Sequence, residues 1–187
     1  RAFGIHSGMG LMKAASLAPE AILLPSDRET CVRLSRTFKA AVAEIAPLME
    51  DRGIDEIFLD LTELPGETRE LAQRLKDAVL RATGLTCSIG VTPNKLLSKI
   101  ASELQKPDGL TVLGLEDIPS RIWPLPCSAI NGIGPKATAK LENLGITTLG
   151  ELAGQDPSFL IDHFGRGFGA WLFEAAHGRD DRPLTLA

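Results

Sequence analysis

The chain has 187 residues, of which 44% are hydrophobic, 24% charged and 5% aromatic, with a formal net charge of −4. That is the profile of an ordinary globular protein, which excludes disordered and collagen-like chains. A chain this long buries about 70% of the surface its unfolded form exposes, so it needs no disulfide or metal staple. No run of eighteen apolar residues occurs, which excludes a membrane-spanning helix, and no secretion signal is visible. The acidic balance argues against simple electrostatic capture of nucleic acid, although backbone amides can hold phosphates without net positive charge.

Residues 1–24 form a short leading segment, helical around Leu11 to Leu17 and standing apart from the strand-like runs. Ser26-Asp27-Arg28-Glu29 is a capping-box sequence, in which a Ser side chain and a Glu three residues later satisfy exposed amides. It predicts a helix from about Asp27 to Ile45. A strand is predicted over Ile54–Thr62, after a turn at Asp51-Arg52-Gly53. Pro65-Gly66-Glu67 opens a second helix that ends near Thr83-Gly84. A strand follows at Thr86–Val91. Thr92-Pro93 reads as a cap followed by Pro at the first helical position, opening a third helix that stops at Pro107-Asp108-Gly109. Leu110–Leu113 is the last strand-like run. Alternating helices and strands predict one sheet with helices packed on a face.

Near residue 118 the pattern changes to short helices with Gly or Pro at their ends. Gly134-Pro135, Thr148 and Asp156-Pro157 mark three starts; Gly145, Gly165 and His177-Gly178 mark stops. Arg179-Asp180-Asp181-Arg182-Pro183 reads as a polar linker leading out of this helical region.

The three cysteines, Cys31, Cys87 and Cys127, form no C-x-x-C pair, and the three histidines are scattered, so no zinc-ligand spacing exists. Of the acidic dipeptides, only Asp55-Glu56 is embedded among apolar residues (Ile54, Ile57, Phe58, Leu59). Two charges against an apolar strand cost several kcal/mol unless a cation or amides compensate. A divalent metal is one such compensation, since magnesium favours one or two carboxylates plus substrate phosphates. A half-exposed strand start is the plainer alternative, and the dipeptide alone does not choose between them. Adjacent strand residues point to opposite faces, so both acids reach one site only at a strand end or turn, which Gly53 supplies.

Lys106, before Pro107-Asp108-Gly109, either complements a helix dipole or offers a cation to a triphosphate. No P-loop sequence occurs. Ile130-Asn131-Gly132-Ile133-Gly134-Pro135-Lys136 places two glycines around an apolar residue immediately before a helix start. Small residues let a phosphate approach the backbone, and the helix start aims free amides at it. Lys136 and Lys140, one turn apart, add charge. This resembles a helix-hairpin-helix motif, which grips a DNA backbone without reading sequence.

Four stretches, in order, resemble a Y-family, translesion DNA polymerase of the DNA polymerase IV type: RAFGIHSGM (1–9), IDEIFLDLT (54–62), SIGVTPNKLLSKIASELQKPDGL (88–110) and INGIGPKATAKLENLGITTLGEL (130–152). The resemblance implies an α+β fold. Residues 1–25 would be the end of the fingers. Residues 26–118 would be an incomplete ferredoxin-like palm, and 119–178 a small all-helical thumb with the helix-hairpin-helix motif. Residues 179–187 would be a linker to a C-terminal little-finger domain beyond Ala187. It also implies template-directed, error-prone nucleotidyl transfer from a dNTP to a primer 3′-hydroxyl. Two Mg2+ ions would serve it, with Mn2+ as an alternative, about 4 Å apart.

Residue by residue, Asp55 and Glu56 match the metal-binding catalytic acids, and Arg1 and Lys106 match cations that contact the incoming triphosphate. Gly132, Ile133 and Gly134, with Lys136 and Lys140, match the DNA-backbone grip. Implied partners are primer-template DNA, dNTP and a sliding clamp reached through the C-terminal region, in a cytoplasmic, bacterial-type setting with no membrane. The family's first metal-binding Asp and its sugar-selecting aromatic residue would lie upstream of Arg1, so the 187 residues are expected not to extend a primer alone. The family often has Ser two residues before the acidic pair, where this chain has Gly53. The rival readings are a catalytically inactive polymerase-like DNA-binding scaffold, and a nuclease or repair factor in which Asp60 would be the added carboxylate.

Overall fold

The structure is a computed structural model describing residues 2–186. Arg1 therefore lies outside the described residues. The leading segment carries one short helix, α1 (Leu11–Leu17), with no buried residue.

Two long helices come next, where expected: α2 (Arg28–Ala43) and α3 (Thr68–Thr83). The cap of α2 is Asp27, whose carboxylate accepts the Thr30 amide at 3.0 Å, so the helix starts one residue later than a Ser26 cap would set it. Glu67 caps α3, and Gly84, at φ 72°, ends it in the left-handed conformation that glycine adopts without a side-chain clash. α2 and α3 pack together through Val42, Leu75 and Val79, with Ala46 just past the end of α2.

Four three-residue strands lie against that helix pair. β1 (Met49–Asp51) and β2 (Ile57–Leu59) form an antiparallel hairpin, with Met49 opposite Leu59 and Asp51 opposite Ile57. β3 (Ile89–Val91) and β4 (Leu110–Val112) pair in parallel, joined by helix α4 (Lys95–Leu104). The expected single sheet is thus two separate two-stranded ladders. β2 and β3 do not pair with each other; Ile57, Leu59 and Ile89 instead share one apolar floor over α2 and α3. Sequence patterning reads burial faces, and a common floor looks the same whether or not the strands above it are hydrogen-bonded. α4 lies hard on β3, because a Cβ on Gly90 would sit 2.4 Å from the Ser98 carbonyl oxygen. Its cap is Asn94, which accepts the Leu97 amide at 2.9 Å, two residues later than the Thr92-Pro93 reading.

From Leu115 the chain is helical, through three short turns at Leu115–Asp117, Ile118–Ile122 and Cys127–Ala129. Then come α5 (Pro135–Asn143), α6 (Leu149–Ala153), α7 (Pro157–Phe164) and α8 (Arg166–Ala176). Thr148 and Glu151 form a reciprocal capping box on α6. Gly169 lets α8 touch α7, since a Cβ there would lie 2.4 Å from the Leu160 carbonyl oxygen. The largest core joins these helices to Leu96, Leu97, Ile100 and Ala101 of α4, so packing is continuous across residue 118. Burial pushes the Cys127 thiol up to about 11, consistent with a core residue.

Residues 178–185 run back over the first half rather than away from it. Asp180 accepts the Leu96 amide at 3.0 Å, adding to the N-terminal capping of α4. Buried Glu50 accepts from Lys95 Nζ and from the Thr185 amide, both at 2.8 Å. No helix among the described residues is long and apolar enough to cross a membrane.

Candidate active site and nucleic-acid interface

Asp55 and Glu56 sit at the end of the β1–β2 turn. Gly53, at φ 128°, supplies the conformation that turns the chain. Lys39 of α2 anchors the turn by donating to both Asp51 oxygens, at 2.9 and 2.8 Å. The Arg52 amide closes it on the Glu56 carbonyl at 3.0 Å. Both acids therefore precede β2 and lie outside its alternation. They are not pressed against apolar side chains, contrary to the expectation from their neighbours: Asp55 is exposed and the Glu56 side chain is 33% exposed. Ile54, counted as part of the apolar surround, is itself exposed. The turn points the acids outward, so no large burial cost has to be offset.

What compensates Glu56 is a lysine. Lys99 of α4 donates to its carboxylate. Glu103, one turn on, lies 3.7 Å from Lys99 and accepts from Lys106 at 2.6 Å. Lys99 and Glu103 are neighbours one turn apart on α4, and Lys106, just past the end of that helix, folds back onto Glu103. Burial works to lower the Lys99 amine, but the hydrogen bond and charge of Glu56, helped by Glu103 and Asp55, outweigh it and hold the amine above the ordinary lysine value. Asp55, Glu56, Lys99, Glu103 and Lys106 are thus one alternating constellation of acids and cations at the mouth between the hairpin and α4. The site roles of Lys99 and Glu103 were not read from the sequence. Their spacing from Lys106 was the available signal, and only the fold brings Lys99 to Glu56.

The donor chemistry suits a hard divalent cation: two adjacent carboxylate side chains on one turn, a kind of set that phosphate oxygens commonly complete. Among the described residues no cluster of three His, Cys, Asp or Glu side chains has metal-binding geometry. Asp60 is spent locally, accepting the Thr62 amide at 2.9 Å to close its own turn.

The second candidate region is the turn before α5. Gly132 has φ 113°, and a Cβ there would lie 2.8 Å from the Trp171 ring. Ile133 is buried in the large core and fixes the turn between the two glycines. The amides of Gly132 and Gly134 make no hydrogen bond among the described residues, and Gly134 faces open space. Free amides, missing side chains and a helix start are what a phosphate oxygen needs. Lys136 is exposed beside them. Lys140 is engaged elsewhere: it donates to the His163 carbonyl and lies over the Phe164 ring at 4.9 Å.

A family model described as the impB/mucB/samB family matches residues 1–103. The chain belongs to this family. A second model, described as the IMS family HHH motif, matches residues 116–146, which include the Gly132–Gly134 turn. DNA polymerase IV of Moorella thermoacetica is 40% identical over 185 residues, covering 97% of this chain and 46% of that protein. DNA polymerase IV 1 of Methanosarcina mazei is 39% identical, covering 98% of this chain and 53% of that protein. Among solved structures, DinB from Sulfolobus solfataricus superposes with a TM-score of 0.87 at 29% identity, over 98% of this chain and 55% of that one. An insertion ternary complex of Dbh DNA polymerase gives 0.86 at 29% identity, over 98% of this chain and 55% of that one. This impB/mucB/samB chain therefore spans about half the length of the relatives it matches, and it shares the fold of Y-family polymerases over nearly all of its own.

Proposed function

We propose that this chain supplies the catalytic acids and a DNA grip of an error-prone, lesion-bypassing DNA polymerase that transfers a nucleotide from dNTP to a primer 3′-hydroxyl. The observation that carries the proposal is the convergence of Asp55 and Glu56 with Lys99, Glu103 and Lys106 in one open mouth. Membership of the family and the polymerase names of the relatives support the same reading.

Asp55 and Glu56 would hold Mg2+, or Mn2+ in its place; when bound, such ions stabilise the attacking and leaving oxygens of phosphoryl transfer. Lys99 pairs with Glu56 and fixes its carboxylate toward α4. Lys106 offers its amine to the triphosphate and Glu103 keeps that amine on the α4 face, with Arg1 assigned the same anionic partner from the leading segment. Such preplaced charges act on negative charge as it develops and cost no reorganisation at that moment. At the other end, Gly132 and Gly134 amides, with Lys136, hold backbone phosphates of primer-template DNA. Lys140 is assigned to the same grip only after release from His163. Contacts of this kind position the duplex without reading its bases, as a polymerase that must accept any template requires. A sliding clamp, reached through sequence outside these residues, completes the proposed set of partners.

The test is Mn2+ binding by electron paramagnetic resonance in the presence of a non-hydrolysable dNTP. Asp55→Asn is expected to weaken Mn2+ binding by about tenfold or more, the scale of losing one charged ligand of a hard cation. Unchanged binding in the folded variant overturns the metal-site reading.

A further inference from the structure

We propose that Lys76, on the buried face of α3, is a positioning residue for triphosphate binding: it fixes the Lys106–Gly109 turn from behind and so sets where the Lys106 amine sits. The proposal rests on the reading of Lys106 as a triphosphate contact.

Lys76 is 9% exposed and lies among Leu71, Ala72, Leu75 and Val79 on the face that forms the α2–α3 core. A lysine in that place is costly unless its ammonium is fully paired. The pairing is complete and specific. Nζ donates to the Cys87 carbonyl at 2.5 Å, to the Asp108 carboxylate at 2.5 Å and to the Gly109 carbonyl at 3.4 Å. Three donors meet three acceptors, and two of those acceptors belong to the turn that immediately follows Lys106.

That turn is constrained from several sides. Asp108 is the one non-glycine residue among those described with positive φ, at 57°, a conformation that a residue with a side chain holds only where its surroundings impose it. Its carboxylate, half in solvent, is turned back onto the buried amine. Gly109 has no room for a side chain, since a Cβ would meet the Gln105 carbonyl oxygen at 2.5 Å. Its amide donates to Ser88 Oγ at 3.1 Å and its carbonyl accepts the Ile89 amide at 3.0 Å. Lys106 itself has no such anchor. It is half exposed, and its amine is held only by Glu103, in the last turn of the preceding α4. Its position therefore depends on the backbone on either side, α4 before it and the Lys76-pinned turn after it.

A hydrophobic residue at position 76 would fill the same space without an ion to bury. What it would not do is grip Asp108 and Gly109. A binding group displaced by about 1 Å loses much of its hold on its ligand, so a fixed turn matters to dNTP binding even though Lys76 touches no substrate.

The test is steady-state primer extension by the full-length polymerase carrying Lys76→Met, Asp108→Ala or Lys106→Ala, alone and combined. Lys76→Met and Asp108→Ala are each expected to raise the KM for dNTP by about fivefold to tenfold, leaving kcat and DNA affinity within about twofold, and to add nothing to Lys106→Ala in the double variants. A merely structural lysine would change the double variants as much as the single ones, and that outcome overturns the proposal. So does an unchanged dNTP KM in both single variants while Lys106→Ala raises it. If Lys106→Ala itself leaves KM unchanged, it is the triphosphate reading of Lys106 that fails. Asp108→Ala removes an exposed side chain, so it keeps the test available should Lys76→Met not fold.

Discussion

The helical region from Leu115 to Ala176 and the strand-bearing region from Arg28 to Val112 solve different problems. The first is packed for stability: Leu141, Leu149, Leu152, Leu160 and Leu172 are fully buried, and α7 and α8 approach as closely as Gly169 permits. The second has strands of three residues and a small core in which most apolar partners are only half buried. Its charged side chains are organised instead, into the Glu56–Lys99–Glu103–Lys106 series at the mouth and the Lys76–Asp108 and Glu50–Lys95 pairs behind it. α4 belongs to both regions, with its apolar face in the large core and its charged face at the candidate site. A helix held by the better-packed half thus carries the groups that the thinner half needs to hold still.

The most direct way to break this contrast is to delete matched leucines. Leu152→Ala is expected to cost about 3–4 kcal/mol, because a fully buried leucine leaves a cavity that close-packed helices cannot collapse. Leu59→Ala, at a half-buried strand position, is expected to cost about 1–2 kcal/mol. Urea unfolding monitored by circular dichroism measures both. Equal costs would mean that the strand-bearing half is as tightly packed as the helical one.

The same division explains how much of the molecule is legible in its sequence. In the helical region, structure is punctuated locally. Thr148 with Glu151, Asp156 before Pro157, and Gly134 before Pro135 each act within four residues, and all three starts fall where the residues place them. Where two local caps compete, the sequence reading slips by one or two residues, at Asp27 for Ser26 and at Asn94 for Thr92. In the strand-bearing region the deciding contacts are long-range. β1 reads as a polar Met-Glu-Asp, and nothing nearby announces that Glu50 is buried by Lys95 and by an amide 135 residues away. The acidic pair is visible as an oddity among apolar neighbours, yet its exposure and its partner Lys99 depend on how a turn and a helix meet. Lys140 likewise reads as facing outward with Lys136, and only α7 supplies its acceptor.

Acid sharpens the contrast where the two halves are strapped together. Lys95, with the Thr185 amide, holds the Glu50 carboxyl below the usual range, and Arg182 does the same for Asp180. A carboxyl depressed in the folded state contributes stability that is complete above its unfolded value and is lost as pH falls through the folded one. The reference values are 4.5 for Glu50 and 3.8 for Asp180, so the loss belongs below about pH 4.5. Hydrogen exchange is expected to show residues 178–185 losing protection in that window before α6 to α8 do, and Glu50→Gln is expected to remove protection at neutral pH. Simultaneous loss in both regions would mean that the strap is not a separate unit.

The smallest expected effect lies in the proposed DNA grip, and the choice of glycine decides whether it can be read. Gly132 is a poor probe, because any side chain there meets both a positive φ and the Trp171 ring, so lost binding would be mixed with lost packing. Gly134 has φ −79°, which every residue adopts, and nothing within 4 Å of a Cβ. Gly134→Val therefore places two methyl groups before the open amides at little cost to the core. It is expected to weaken primer-template binding about threefold to tenfold, by the same factor on unrelated sequences, because the proposed contact is to phosphate. Lys136→Ala is expected to weaken binding to a similar extent while lowering the salt slope by about one, since it removes one counterion-releasing charge where Gly134→Val removes none. Fluorescence anisotropy at several salt concentrations separates the two variants. A sequence-selective loss in Gly134→Val would overturn the phosphate grip, and an unchanged slope in Lys136→Ala would leave the amides as its whole basis.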